Sequence, residues 1–268
     1  MTGVESKLFF IGMGLSGFKS CSLETLDLLK EADIIFIEKY TNFVLGEIPQ
    51  LFKQVEHKFK IVTREDLEDR DQEFLKKIKN KFSILLVPGD PFIATTHNSL
   101  RLIAIEKGFK CRIIHNTSII SAAASASGLS SYRFGRTVTC PFPDNASEFP
   151  YEIIRRNKQI EAHTLVLLDI NTSKREFLSV NDAIEILLEL EKKKQEKLIS
   201  NSLMIGLAQI GYDGEVITFG SIDEVKTISW RDLGPPQALI VCADSLLEYE
   251  EETLQVLWRD AIYWNSRL

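Results

Sequence analysis

The segment Val87–His97 has the sequence VPGDPFIATTH and directly follows the apolar run Ser83–Leu86. This order predicts a buried strand that enters a tight loop and then a helix, because proline fixes φ and glycine reaches conformations closed to other residues. Ligands of open α/β sheets bind at the carboxyl ends of strands, where Asp90 is expected. An ordinary turn uses the same residue types, so the segment alone does not separate the two interpretations.

Strands and helices alternate on both sides of this segment. In the first ~115 residues, apolar runs predict strands at 7–11, 33–38, 83–86 and 111–114, with helices at 23–32, 65–80 and 97–107, whereas 47–60 is ambiguous. Such alternation is typical of a parallel sheet. We therefore expect an α/β fold whose first domain, residues 1–116, contains a parallel sheet.

The second part of the chain has a different order of predicted helices and strands. Helices are predicted at 119–127, 151–161, from a cap at Ser179 or Asn181 to Leu190, and at 246–264, and residues 191–197 are expected to form a solvated end. Strands are predicted at 137–140, 163–170, 203–210, 216–219 and 238–242. Because some of these strands follow each other without a helix between them, we expect a mixed sheet in a second α/β domain, residues 117–268.

Composition limits the function classes. The chain has 268 residues, is 44% apolar and carries a net charge of −6, so nucleic acid is a poor default partner. It contains no run of ~18 apolar residues, and Met1–Lys7 lacks the apolar core of a signal peptide. The four cysteines are widely spaced, which disfavours a zinc site or disulfides and favours a cytoplasmic protein.

A glycine motif near the start invites a different interpretation. Gly12–Gly17 fits G-x-G-x-x-G, follows a predicted strand, and is followed by Glu38, 21 residues beyond Gly17. This is the pattern of a dinucleotide site, with glycines at the pyrophosphate and an acid at the ribose. However, the next helix starts late, and no histidine with a partner acid is evident downstream, so an NAD-dependent dehydrogenase remains only an alternative.

Six segments taken together resemble the diphthine synthase family, within the tetrapyrrole-methylase-like methyltransferases. They are GMGL (Gly12–Leu15), EKYT (Glu38–Thr41), GDPFIATTH (Gly89–His97), HNTSI (His115–Ile119), YRFGRTV (Tyr132–Val138) and HTLVLLDI (His163–Ile170). The resemblance extends from about residue 7 to about residue 245, with the family's order and near-family spacing.

The resemblance implies a homodimer of two-domain chains that bind S-adenosylmethionine in the cleft between the domains. It implies methylation of elongation factor 2 in diphthamide biosynthesis. The substrate is a histidine carrying a 3-amino-3-carboxypropyl group, whose amine becomes a trimethylammonium. Eukaryotic members also methylate the carboxylate. In this family the first glycine motif does not bind a pyrophosphate.

The resemblance also implies a set of cofactor contacts. These are Leu15, Asp90, Ile93, Ser118, Ile119, Leu168, Ile210 and Gln237. Gln237 stands in a loop that is one residue shorter than usual, where the family usually has histidine. By pattern alone the apolar members are core residues and Asp90 is a turn residue.

We expect catalysis by positioning and desolvation, without a catalytic side chain and without a metal. His97 and His115 follow strands, where histidine is more often structural, and neither is assigned a catalytic role. A methylase of a small tetrapyrrole and a catalytically inactive module that docks on the factor are further alternatives. The Tyr132–Val138 segment favours the protein substrate.

Overall fold

The computed structural model describes residues 5–265, and the side chains of 258–265 lie outside that description. The prediction about a signal peptide therefore falls mainly on undescribed residues. The chain forms two compact units, Met1–Ile119 and Ile120–Leu268. The domain boundary predicted after residue 116 lies three residues before this division.

The first unit contains a five-stranded parallel sheet. Its strands are β1 (Lys7–Gly12), β2 (Ile34–Glu38), β3 (Phe59–Val62), β4 (Phe82–Val87) and β5 (Lys110–Ile114), in the spatial order β3-β2-β4-β1-β5. The helices are α1 (Leu23–Glu31), α2 (Gln50–Lys53), α3 (Asp71–Lys77) and α4 (His97–Glu106). All-parallel pairing confirms the predicted sheet.

Both faces of the central strands of this sheet are buried. Along β2, Ile34 and Phe36 join one apolar cluster while Ile35 and Ile37 join the other. A strand covered on both faces has no polar side, which explains the continuous apolar runs of the sequence. The edge strand β3 escaped prediction because it alternates weakly and leaves Ile61 exposed.

The second unit begins within α5 (Ile119–Ser127) and contains a mixed sheet. Its strands are β6 (Val138–Cys140), β7 (Thr164–Leu168), β10 (Met204–Ala208), β11 (Val216–Gly220) and β12 (Gln237–Val241), in the order β11-β10-β12-β7-β6. Only β6 and β7 pair in parallel within this sheet, and a two-stranded ribbon joins β8 (Ile170–Asn171) to β9 (Glu176–Phe177). The expected mixed sheet is confirmed.

Helices complete the second unit. They are α6 (Phe149–Gln159), α7 (Val180–Lys194), α8 (Ile222–Val225), α9 (Trp230–Leu233) and α10 (Glu248–Asn265). Trp230 is fully buried and packs so closely on Gly206 of β10 that a Cβ there would overlap the indole ring. The indole Nε1 donates to the Val225 carbonyl at 2.8 Å, so the buried ring is satisfied.

Two predicted helices have different limits. Helix α7 begins with a capping box at Ser179 but continues to Lys194, and the buried Glu191 accepts hydrogen bonds from the backbone amides of Ile199 and Ser200. The prediction that 191–197 is only a solvated end was therefore wrong. The helix predicted over 65–80 is instead a π-helical turn, Glu65–Asp69, followed by α3.

Candidate active site

Loops at the carboxyl ends of β1 and β4 are joined in the first unit. The amide of Gly14 donates to the Gly89 carbonyl at 3.1 Å, and the Gly89 amide donates back at 2.9 Å. Both glycines have positive φ, +65° and +70°, which side-chain-bearing residues rarely adopt. The GMGL and GDPF segments thus form one edge of the sheet.

The end of β5 joins the same edge through Asn116. Its side-chain amide donates to the carbonyls of Gly12 and Ser20, each at 3.0 Å. A Cβ on Gly12 would lie 2.5 Å from the Gly89 oxygen and 2.8 Å from the Asn116 Cβ. Gly12 is therefore required by close packing of three loops, which does not need a pyrophosphate.

Asp90 is 6% exposed and has hydrogen-bond partners on both carboxylate oxygens. One oxygen accepts from the Phe92 amide at 3.0 Å, and the other lies 2.8 Å from Nδ1 of His115. His115 is 72% exposed, so the pair reaches the surface at the strand ends. Sequence reasoning gave His115 no part in this site, although its place directly after β5 puts it at the same edge as Asp90.

The other expected contacts in the first unit lie on these loops. Leu15 follows Gly14, Ile93 is 42% exposed in the loop after β4, and Ser118 is buried at the start of α5. The Ser118 Cα would lie 3.9 Å from a Cβ built on Gly89. Ile119 is half-buried and is the last residue of the unit. Ser118 therefore meets the Gly89 loop directly.

The second unit also brings its three expected contacts to one edge. Leu168 ends β7, Ile210 lies two residues beyond β10, and Gln237 begins β12, which pairs with both strands. The Gln237 side chain is already engaged, since its oxygen accepts from the Val180 amide at 3.0 Å and its nitrogen donates to the Trp230 and Gly234 carbonyls. In the structure these hydrogen bonds connect β12 to α7 and α9. A cofactor role for Gln237 stays a prediction.

Glu38 does not have the geometry of a ribose-binding acid. It is fully buried, and it accepts from the amides of Tyr40 and Thr41 and from the Thr41 hydroxyl at 2.5–2.6 Å. Burial raises the pKa of this carboxyl although these donors and Arg64 pull it down. Glu38 is therefore not placed to bind a ribose, which removes the acid that the dinucleotide interpretation needs. Its hydrogen bonds instead stabilise the turn after β2.

His97 lies close to Glu38, and one of its two ring nitrogens lacks a hydrogen-bond partner among the described residues. Its Nε2 is 3.5 Å from the Tyr40 hydroxyl and 4.0 Å from a Glu38 oxygen. Its Nδ1 is buried and has no hydrogen-bond partner among the described residues. Burial lowers the pKa of His97 to about 4, so the ring is neutral at pH 7. His97 is thus buried, as is common for a structural histidine, but its Nδ1 lacks a partner among the described residues.

A cavity of about 250 Å³ adjoins His97. We call it the Tyr40–His97 cavity, and its polar lining comes from Tyr40, Glu68, Asp71, Thr96, His97 and Ser99. The Thr96 hydroxyl donates to Glu68 at 2.6 Å. The cavity lies wholly in the first unit, between the segment after β2, the π-helical turn and the start of α4.

A second histidine, His163, is buried in the other unit and is fully satisfied. Its Nδ1 accepts from the Ala243 amide at 3.0 Å, and its Nε2 lies 3.2 Å from Glu250 of α10. Arg133 donates to the other Glu250 oxygen at 2.7 Å. Burial raises the pKa of Glu250, but donors from the Leu247 and Ser130 amides, Arg133 and His163 outweigh it, and the pKa is lowered.

The structure thus contains histidine–acid pairs that the sequence did not reveal. No group of three or more His, Cys, Asp or Glu side chains within the described residues is arranged to hold a metal ion. Nor does any helix in that part of the chain combine the length and apolar character needed to cross a membrane.

Comparison with known proteins defines the class. A family profile described as Tetrapyrrole (Corrin/Porphyrin) Methylases matches residues 7–226, and the chain is a methyltransferase of this class. Diphthine synthases of Methanosphaera stadtmanae and Methanospirillum hungatei are 37% and 36% identical to it, over 93% and 92% of this chain and 95% and 96% of theirs.

Solved structures agree with this assignment. A crystal structure of diphthine synthase superposes with a TM-score of 0.83 at 33% identity, covering 93% of this chain and 95% of that one. A putative diphthine synthase from Entamoeba histolytica gives 0.80 at 29% identity, covering 94% and 98%. The chain belongs to the diphthine synthase family.

Proposed function

We propose that the chain methylates the 3-amino-3-carboxypropyl group of a modified histidine on elongation factor 2, with S-adenosylmethionine as methyl donor. The observation that carries this proposal is the match to diphthine synthases over 93% of the chain and 95% of the relative. The product is diphthine, a trimethylammonium, and a eukaryotic member would also methylate the carboxylate. The protein would act in the cytoplasm as a homodimer.

The first unit offers groups that suit the cofactor. Asp90 presents a carboxylate at the strand ends, where it can accept hydrogen bonds from ribose hydroxyls or from an ammonium group. The positive φ of Gly14 and Gly89 brings backbone groups to the same place. Leu15, Ile93 and Ile119 would provide apolar contacts. Leu168, Ile210 and Gln237 of the second unit complete the proposed set.

The cofactor supplies a methyl group on a sulfonium, and the displaced thioether needs no acid. Each transfer breaks a carbon–sulfur bond, forms a carbon–nitrogen bond and releases one proton from the amine. Three transfers turn a primary ammonium into a trimethylammonium, with loss of three protons to solvent. Positioning of the reactants contributes about 7–11 kcal/mol to such reactions, so the residues named above are proposed to bind and orient rather than to exchange protons.

The proposal is tested with elongation factor 2 that carries the 3-amino-3-carboxypropyl group and lacks methyl groups. We expect label from methyl-labelled S-adenosylmethionine to enter the modified histidine, and mass spectrometry of that peptide to show three added methyls, or four if the carboxylate also reacts. The matched control is elongation factor 2 with an unmodified histidine, which should remain unlabelled. Label in a tetrapyrrole but not in the modified factor would overturn the proposal.

A further inference from the structure

The Tyr40–His97 cavity lies at the same sheet edge as Asp90. Tyr40 follows β2 by two residues, and Thr96 and His97 end the loop that Asp90 begins after β4. Glu68, Thr96 and Ser99 are exposed, so the mouth of the cavity opens to solvent, whereas His97 is buried at its inner wall. A ligand that enters it therefore approaches the loop that carries the proposed cofactor contacts.

One ring nitrogen of His97, at the inner wall, has no hydrogen-bond partner among the described residues. With the hydrogen of the neutral ring on Nε2, facing the Tyr40 hydroxyl and the Glu38 carboxylate, Nδ1 is left with a lone pair. A buried polar atom without a partner destabilises the fold by about 1–3 kcal/mol, so its retention calls for an explanation. The His97 ring also stacks on the Tyr40 ring, with 6.0 Å between the ring centres, so it supports the aromatic wall of the cavity.

The charges around the cavity select a cation. Glu68 and Asp71 contribute carboxylates to the lining, which among the described residues includes no lysine or arginine. Arg64 reaches the rim from outside, with its guanidinium 5.4 Å from the centre of the Tyr40 ring and Nε 3.8 Å from Glu68. The Arg64 side chain is 64% exposed, so a competing cation could displace it from this aromatic and acidic surface.

We propose that the Tyr40–His97 cavity binds the amine-bearing side chain of the protein substrate. The inference rests on the proposed function and deepens it. Successive methylation removes N–H groups and leaves a bulky cation that no longer donates hydrogen bonds. The Tyr40 ring and the nearby carboxylates attract both the primary ammonium at the start of this series and the trimethylammonium at its end.

The first test uses choline as a quaternary ammonium probe and 3,3-dimethyl-1-butanol as its neutral isostere. Choline should bind the full-length protein at least about tenfold more tightly than the alcohol, and its methyl protons should shift upfield because they lie over the Tyr40 ring. Glu68→Gln should raise the choline Kd about fivefold and Tyr40→Leu about tenfold, whereas Tyr40→Phe should retain most of the affinity. Equal binding of choline and the alcohol would overturn the inference.

The matched control is Glu73→Gln, which neutralises an exposed carboxylate of α3 that does not line the cavity. In methyl transfer, Glu68→Gln and Tyr40→Leu should raise the KM for modified elongation factor 2 about tenfold and leave the KM for S-adenosylmethionine unchanged, and Glu73→Gln should change neither. If the wild-type protein methylates the factor and the cavity variants keep its KM, the inference fails alone. If the wild-type protein leaves the factor unmethylated, the proposed function fails, and with it the assignment of the cavity to this substrate.

Discussion

Two buried histidines, His97 and His163, each lie beside a buried glutamate, one pair in each unit of the protein. His163 has partners on both nitrogens, and its Glu250 also binds Arg133. His97 has an unpaired Nδ1 and adjoins a cavity. The same residue types therefore have different surroundings, since the closed network joins elements of the fold and the open one borders a cavity.

The largest expected effect is on stability in the second unit. Glu250→Ala should lower the free energy of unfolding by about 3–5 kcal/mol, because it leaves the half-buried Arg133 and the buried His163 without the carboxylate that they share. Denaturant titration measures this loss. Glu251→Ala removes an exposed neighbour and should stay within about 0.5 kcal/mol. A loss from Glu250→Ala as small as the control's would mean that the closed network is not structural.

The His97 pair is expected to make stability depend on pH. Because the folded pKa is about 4 and the unfolded value is near 6.5, the unfolded chain binds more protons between these values. The stabilisation from neutral His97 is therefore complete above pH 6.5 and is lost as pH falls towards 4, by about 3 kcal/mol. The raised pKa of Glu38 acts in the opposite direction, but Glu38 is present in both proteins when wild type is compared with His97→Phe.

That comparison is made by denaturant titration at several pH values. The unfolding free energy of wild type minus that of His97→Phe should fall steadily from pH 7 to pH 4, because only the wild type loses the contribution of neutral His97. A difference that stays constant across this range would show that His97 is not buried as a neutral ring.

Two glycines sharpen the contrast between the units. Gly12→Ala and Gly206→Ala should each destabilise by about 2 kcal/mol, since the new Cβ meets backbone and Asn116 in one case and the Trp230 ring in the other. Only Gly12→Ala should also weaken binding of S-adenosylhomocysteine, measured by calorimetry at a temperature where both variants are folded. Equal loss of binding in the two variants would remove the distinction.

The smallest expected effect compares two strand-end aspartates. Asp90→Asn should raise the Kd for S-adenosylhomocysteine about tenfold, in line with the loss of one charge-assisted hydrogen bond. Asp169→Asn, whose carboxylate accepts from the Ile170 and Phe142 amides, should change it less than about twofold. The reverse ranking would place the cofactor's polar contact in the second unit.

Local pattern was enough to predict most elements, both sheet types and the tight loop that follows β4. It failed where a side chain pairs with a residue far away in the sequence, and where a side chain bonds to the backbone of its own loop. His163 and Glu250 are 87 residues apart, and His115 and Asp90 are 25 apart, so no window of sequence contains either pair. The spacing of Glu38 from the glycines matched that of a ribose-binding acid, but its carboxylate accepts hydrogen bonds from the amides of Tyr40 and Thr41.

The central claim is that the open His97 pair serves the substrate and the closed His163 pair serves the fold. Its most direct test is the KM for modified elongation factor 2, measured for His97→Phe and His163→Phe at a temperature where circular dichroism shows both to be folded. We predict that His97→Phe raises this KM about tenfold while His163→Phe keeps the wild-type value despite a lower melting temperature. A wild-type KM in His97→Phe, or an equal rise in both variants, would contradict the account.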